Sequence, residues 1–394
     1  MKISRRIQAL AESATLAVTQ TAAQMRADGV DVVSFGAGEP QDFATPDHVI
    51  EAATRALAEG HTRYPKPASG LAVLKNAIRE KLQRENRLDY GLDQILVTVG
   101  GKDACYSIIQ SLIDPGDEVL IPVPYWVSYP EIVKLAGGVP VFLSSKMADG
   151  FRIDAGQIAA AIGPRTRLLI LNYPGNPAGH MYEPEQIRAI ARALEGTDVA
   201  VLSDEIYDRL VFDGAEFLSF AAASKDALAR CVTLNSASKT FSMPGWRLGF
   251  AAGPQPVIAA ASKLQSQMTS GAATFSQIAY AAALDGDQAC VDRMRAEYQR
   301  RGRVVFERLS AINDVRCNQP GGAFYVFPNV RGTYERLGVD TSVQFAQRLL
   351  DQAHVAVVPG AAFGMDDHVR LSYTAAPDRL ELGLQRIAGF LDPS

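Results

Sequence analysis

Apolar positions recur every three to four residues over 47–59 and again over 70–85, a spacing that predicts two amphipathic helices early in the chain. Short apolar runs bounded by turn residues follow at Ile95–Val99, Glu118–Pro122, Leu168–Leu171, Val199–Leu202 and Val232–Leu234. Each resembles a buried strand, and most are separated by a helix-like segment. Strands buried on both faces and alternating with helices predict a parallel or mostly parallel sheet sandwiched by helices, an α/β arrangement. After Asp285 the pattern changes. Residues 288–310 read as one long Arg-rich helix, and strand-like pieces at Gly322–Phe327, Val355–Val358 and His368–Ser372 then alternate with helices at 341–352 and 377–391. That is the pattern of a smaller α+β unit. No repeat, low-complexity tract or flexible linker separates the two units, so they are expected to pack tightly.

Composition narrows the function class. A chain of 394 residues has room for two or three domains, and 47% apolar with 21% charged residues is typical of a globular protein in water. The formal net charge of −4, with no Lys/Arg-rich run, argues against nucleic-acid binding but leaves room for a local cationic pocket. No run of about 18 apolar residues occurs, so no membrane span is expected. Lys2, Arg5 and Arg6 could open a signal peptide, but Gln8, Glu12, Ser13 and Thr15 interrupt the apolar stretch it needs. The four cysteines, Cys105, Cys231, Cys290 and Cys317, form no CxxC pair or disulfide-like framework, which fits a reducing, cytoplasmic setting.

Four short segments carry candidate chemistry. In Asn235-Ser-Ala-Ser-Lys239, a lysine follows an apolar strand within a Ser-rich turn, and Arg247 lies eight residues further on. Such a lysine can condense with a carbonyl, while nearby hydroxyls and an arginine can hold a phosphate; a solvated loop lysine is the plain alternative. Asp204, in Ser203-Asp-Glu-Ile-Tyr207, ends an apolar run, where open α/β sheets place ligands. A turn or helix start there puts Asp204 and Tyr207 on one side, though an ordinary helix N-cap would use the same aspartate. Asn172-Tyr-Pro-Gly-Asn176-Pro-Ala-Gly179 is a rigid loop carrying a held amide, or a plain turn. Gly100-Gly101-Lys102 joins a strand to a helix whose free N–H groups could bind phosphate, but neither a Walker A nor a GxGxxG spacing is present.

In this order, the segments resemble the fold type I aminotransferases that use pyridoxal 5′-phosphate, the aspartate aminotransferase superfamily in particular. The resemblance runs from Gly36-Ala-Gly-Glu-Pro40 to His368-Val-Arg370-Leu-Ser-Tyr373, nearly the whole chain. It implies a seven-stranded-type, mostly parallel sheet in a large domain over 48–287. It also implies a small domain over 288–394, with 1–47 as an N-terminal arm and part of the small domain. Lys239 would carry the cofactor as a Schiff base and shuttle the substrate proton, in ping-pong turnover. Asp204 would keep the pyridine nitrogen protonated, Tyr207 and Asn176 would bind the ring oxygen, and Trp126 would stack on the ring. Gly100, Gly101, Ser236, Ser238 and Arg247 would surround the phosphate, with Lys102 in the same loop. Arg370 would grip the substrate α-carboxylate beside Gly38, and Tyr64 would reach the phosphate of a neighbouring subunit, making a homodimer obligatory.

Two features depart from most relatives. The loop reads Pro174-Gly175-Asn176-Pro177-Ala178-Gly179 where a polar residue and a threonine are usual, and no arginine matches the one that binds a distal carboxylate. Lys102 instead fits the bacterial subgroup that recognises dicarboxylates with a lysine, so an aspartate- or glutamate-like donor is expected. Within the family, an aromatic, prephenate-type or basic donor, or a lyase on the same fold, would have similar cofactor residues. Outside it, Ser236-Ala-Ser-Lys239 fits the SxxK element of serine acyl-enzymes, but the KTG and SDN elements that reading needs do not occur. A non-catalytic regulator is not expected either, since no N-terminal segment is spare for a DNA-binding module.

Overall fold

The computed structural model describes residues 1–392. Twelve strands occur among them: β1 (Val33–Ser34), β2 (Ile95–Thr98), β3 (Glu118–Val123), β4 (Val139–Ser144), β5 (Thr166–Asn172), β6 (Ala200–Asp204), β7 (Cys231–Ser236), β8 (Gly249–Ala252), β9 (Tyr325–Val326), β10 (Val355–Ala356), β11 (Val358–Pro359) and β12 (Val369–Ser372). Seven of them form one sheet in the order β2-β8-β7-β6-β5-β3-β4. Only β8 runs against the rest: the short link from Ser236 to Gly249 returns the chain beside β7 instead of crossing over. This is the mostly parallel, helix-covered, seven-stranded sheet that the resemblance implies. Every residue of β2, β7 and β8 is buried, as strands covered on both faces must be.

The sequence pattern located five of these seven strands. It missed β4, an edge strand with a half-exposed Val-Pro-Val-Phe pattern, and β8, whose Gly-Phe-Ala-Ala sequence lacks β-branched residues. The helix expected over 70–85 is regular only from Ala72 to Lys81 and ends in a widened π turn, Leu82–Asn86, closed by Arg87 in the left-handed region. It does not start at Gly70, whose φ of +121° lies outside the helical region; a Cβ there would also lie 2.4 Å from Val97 Cγ2 on β2, which keeps the position glycine. The long helix, Ala289–Ser310, matches its expected limits closely.

The strand expected over Val355–Val358 is two strands in two sheets. Val355–Ala356 pairs with Val33–Ser34, and Val358–Pro359 pairs with β12, which in turn pairs with β9. The first pairing binds the N-terminal part of the chain to the C-terminal part. Ser372 N–H donating to Phe35 O and Asp31 accepting from Arg379 and Arg386 reinforce it. A separate apolar core forms there around Phe35, Tyr298, Phe324, Tyr325 and Leu371, distinct from the two that cover the faces of the large sheet. Among the described residues, no helix is long and apolar enough to cross a membrane.

Register sets up one end of the sheet. Asn172 on β5 pairs with Asp204 on β6, while Thr98, Gly249 and Ser236 form a row across β2, β8 and β7. The C-terminal ends of four parallel strands therefore open at one edge, facing Arg370 on β12.

Candidate active site

A cavity of about 470 Å³ lies over that edge, between the large sheet and the C-terminal unit. Gly38, Gly101, Lys102, Trp126, Asn176, Asp204, Tyr207, Ser238, Lys239, Arg247 and Arg370 all line it. Segments dispersed along the sequence thus converge on one cleft. Gly100 and Ser236 lie just behind the lining, at the helix start and the end of β7. Tyr64 does not line it: the side chain is 78% exposed, away from the cleft.

Close backbone approach brings the Gly-Gly turn to Arg247. Gly100 has φ +87°, and a Cβ there would lie 2.4 Å from Arg247 Nη2; a Cβ on Gly249 would lie 2.8 Å from Gly100 C and Gly101 N. Both positions need glycine on steric grounds. Arg247, itself at φ 55°, donates to Pro244 O (2.9 Å) and Val99 O (3.2 Å), which holds its guanidinium over the start of the helix Gly101–Leu112. Ser236 Oγ accepts from Ser238 N–H at 3.2 Å, and Ser236 N–H donates to Asn235 Oδ1 at 2.7 Å. Helix N–H groups, two serines and an arginine form a cup suited to a phosphate.

The floor of the cleft is acidic at one point. Asp204 is 9% exposed and accepts from Tyr129 Oη at 2.6 Å and from Ile206 N–H at 3.3 Å. Burial pushes its carboxyl up to about 6, against the pull of the Tyr129 hydrogen bond. It caps its own turn rather than a helix. Asn172 Nδ2 donates to Asp204 O, and Asn172 Oδ1 accepts from Asn176 N–H, both at 2.9 Å. Asn176 Oδ1 in turn accepts from Arg370 Nη1 at 3.1 Å, so its Nδ2 is left to donate to something else. Tyr207 Oη lies 2.9 Å from Tyr325 Oη.

Arg370 is 1% exposed. Its Nη2 donates to Gly36 O at 2.8 Å, its guanidinium lies 4.7 Å and 5.1 Å from the Tyr325 and Phe363 ring centroids, and its Nε is buried without a partner. Lys239 Nζ donates to Gly38 O, and Lys102 Nζ lies 5.1 Å over the Trp126 ring. Among the described residues, Lys102, Lys239, Arg247 and Arg370 form no ion pair, and Asp204 and Glu39 are the only acids lining the cavity. The cleft therefore favours anions. Burial lowers the Lys239 amine to about 8, while the facing Glu39 carboxylate works the other way. At neutral pH a useful fraction of that amine is unprotonated and nucleophilic.

Tyr129, Tyr325, Asn172 and Glu39 have positions in this site that sequence reasoning assigned to none of them. Asn172 and Glu39 lie inside segments already singled out, Asn172–Gly179 and Gly36–Pro40, and Tyr129 lies three residues after Trp126. Tyr325 carries no local signal.

Comparison with known proteins yields one family. A family model described as aminotransferase class I and II matches residues 30–387. A protein of Geobacillus stearothermophilus called aspartate aminotransferase is 44% identical over 392 residues, covering 100% of this chain and 99% of that protein. One of Nitrosomonas europaea called aspartate/prephenate aminotransferase is 41% identical over 398 residues, covering 99% and 100%. The solved structure of aspartate aminotransferase from Thermus thermophilus with maleate superposes with a TM-score of 0.93 at 43% identity, covering 98% of this chain and 99% of that one.

The lowered amine at Lys239 gives a direct test. In protein free of small molecules, the rate of Lys239 acylation, read by peptide mass spectrometry across pH, should rise with a midpoint near 8. A midpoint near the ordinary lysine value of about 10.4 would show that the amine is not desolvated as described.

Proposed function

The chain belongs to the class I and II aminotransferases, and we propose that it moves the amino group of an aspartate- or glutamate-like donor to a 2-oxo acid with pyridoxal 5′-phosphate held on Lys239. The observation that carries this reading is the excess of unpaired cations in the cleft, with Arg370 buried among neutral oxygens and aromatic rings. The residues fit the cofactor. The glycine cradle under Arg247 has no room for a Cβ, the cup beside it offers phosphate donors, and Asp204 supplies one buried carboxylate in the same cleft, which would suit a protonated ring nitrogen.

When bound, the cofactor supplies a protonated pyridine ring that withdraws electrons from the donor Cα. Asp204 would accept a hydrogen bond from the ring N–H and keep it protonated, and a cation facing it would draw its carboxyl back down from about 6. Tyr129 orients the carboxylate from behind. Tyr207 and Asn176 Nδ2 would donate to the ring oxygen, since the Asn176 Oδ1 is taken by Arg370. Trp126, in the cleft lining, would pack against the ring face. Arg370 binds the α-carboxylate beside Gly38, which leaves the Lys239 amine to take a proton from Cα and return it. Ser236, Ser238, Gly100, Gly101 and Arg247 hold the phosphate.

For the donor's second carboxylate we assign Lys102, exposed at the cleft mouth, where an ammonium attracts charge without the geometric demand of an arginine fork. The Thermus relative was solved with maleate, a dicarboxylate, which supports a dicarboxylate donor. We read residues 48–287 as the large domain, 288–394 as the small one and 1–47 as an arm shared with it, consistent with the β1–β10 pairing. A cytoplasmic setting fits the four free cysteines.

We also assign a homodimer. Arg247 lines a second, open cavity of about 770 Å³ with Val99, Trp246, Gly271 and Phe275, and the segment just after Tyr64 packs on Gly271. A second copy docked there would bring its Tyr64 to the phosphate cup. Lys239→Ala and Tyr64→Ala chains should each be inactive as homodimers and recover activity when refolded together, because one mixed site is intact. Mixtures no more active than either parent would rule out the shared site.

The substrate reading is tested by Lys102→Ala. With 2-oxoglutarate as acceptor, kcat/KM for aspartate should fall roughly ten- to a hundred-fold while that for alanine or phenylalanine changes little. Equal losses for all donors, with weaker cofactor binding, would place Lys102 at the phosphate and refute the dicarboxylate assignment.

A further inference from the structure

Directly behind the cleft lies a cluster of buried charges that transamination itself does not use. Asp204 faces the cleft from the end of β6; Glu205, the next residue, faces the other way and is fully buried. Its Oε1 accepts from Ser203 Oγ (2.9 Å), Ser219 Oγ (2.7 Å) and Phe220 N–H (3.3 Å), and its Oε2 accepts from Asn86 Nδ2 (3.2 Å). Asn86 is the last residue of the π turn after the Ala72–Lys81 helix, and its Oδ1 accepts from Lys81 Nζ at 2.7 Å. Lys81 also pairs with Asp208 and lies 3.7 Å from Glu85, which accepts from Arg209 at 2.9 Å. Lys81 and Asn86 are each 4% exposed.

The cluster reaches the site by two routes. Asp208 N–H donates to Glu205 O at 3.0 Å and Leu210 N–H to Tyr207 O at 2.8 Å, which closes the turn carrying Tyr207. Glu205 O also accepts from Asn235 Nδ2 at 3.0 Å, and Asn235 Oδ1 receives Ser236 N–H, the entry to the phosphate cup. Burying charges in this way rarely adds net stability over an apolar core, so its value lies in fixing geometry. Four hydrogen bonds donated to Glu205 call for its carboxylate form, although burial raises that carboxyl to about 7.

We propose that Lys81, Asn86, Glu205 and Asp208 are positioning residues: a buried ionic brace that aims Asp204 and Tyr207 at the cofactor ring and, through Asn235, aligns Ser236 with the phosphate. The proposal rests on the cofactor assignment above, yet part of its test is independent of it. Amide hydrogen exchange of the full chain without added cofactor is compared among wild type, Lys81→Met, Lys81→Arg and Lys81→Met/Asp208→Leu. Lys81→Met strands the Asp208 charge and should lower stability, whereas the double variant removes both charges and should unfold near the wild-type midpoint.

In that stable double variant, the amides of Ile206, Tyr207, Ser236 and Ser238 should exchange about tenfold faster while β3 and β5 keep their protection. Pyridoxal 5′-phosphate should bind about tenfold more weakly, and the pH midpoint of its bound absorbance band should move by about one unit. Lys81→Arg, which keeps the cation, should recover most of each effect. Unchanged local exchange and affinity in the double variant would overturn the brace, as would a uniform loss of protection across the sheet. Wild-type protein that binds no pyridoxal 5′-phosphate would refute the cofactor assignment instead, and the exchange comparison would still decide the brace.

Discussion

A guanidinium buried to 1% exposure without a facing acid is the constraint around which this protein is arranged. Removing an ion from water costs several kcal/mol, and two neutral oxygens with two aromatic faces offset only part of that for Arg370. The remainder is available to an incoming carboxylate. Holding Arg370 there requires Gly36 on one side and Asn176 on the other, so the N-terminal strand, the β5 loop and β12 must meet at one point. The β1–β10 pairing and the Asn172–Asn176 bond serve that meeting.

The opposite wall follows from the sheet. Parallel strands end together, and register brings Asn172 beside Asp204, and Ser236 beside Gly249 and Thr98. Side chains at these ends point alternately into the cleft and away from it. The alternation explains why a site acid, Asp204, and a brace acid, Glu205, are neighbours in sequence with different surroundings. Both carboxyls are raised by burial, but one is open to a cofactor and the other is saturated with protein hydrogen bonds. A single antiparallel strand, β8, lets Gly249 pass beneath the Gly100 turn and delivers Arg247 to it.

Much of this was legible in the sequence because it is local. Buried strands announce themselves as apolar runs, and Lys239 with Arg247, or Asp204 with Tyr207, sit within one strand-and-turn segment. What escaped was set by distant contacts. Tyr325 meets Tyr207 across 118 positions and Lys239 meets Gly38 across 201, separations at which no periodicity survives. The edge strand β4 and the Gly-Ala-rich β8 escaped because their partners, not their own side chains, make them strands. The apolar run at Val355–Val358 was visible, but its division between two sheets depends on which strands flank it.

The central claim is that one lysine of this chain, Lys239, carries the reacting carbonyl in a cleft built for anions. Its most direct test is borohydride reduction of the protein after incubation with pyridoxal 5′-phosphate, followed by peptide mass mapping. The account predicts a stable phosphopyridoxyl adduct on Lys239 alone, lost when an amino-acid donor is added before the reductant. An adduct confined to another lysine, or none on a protein that transaminates, would contradict it.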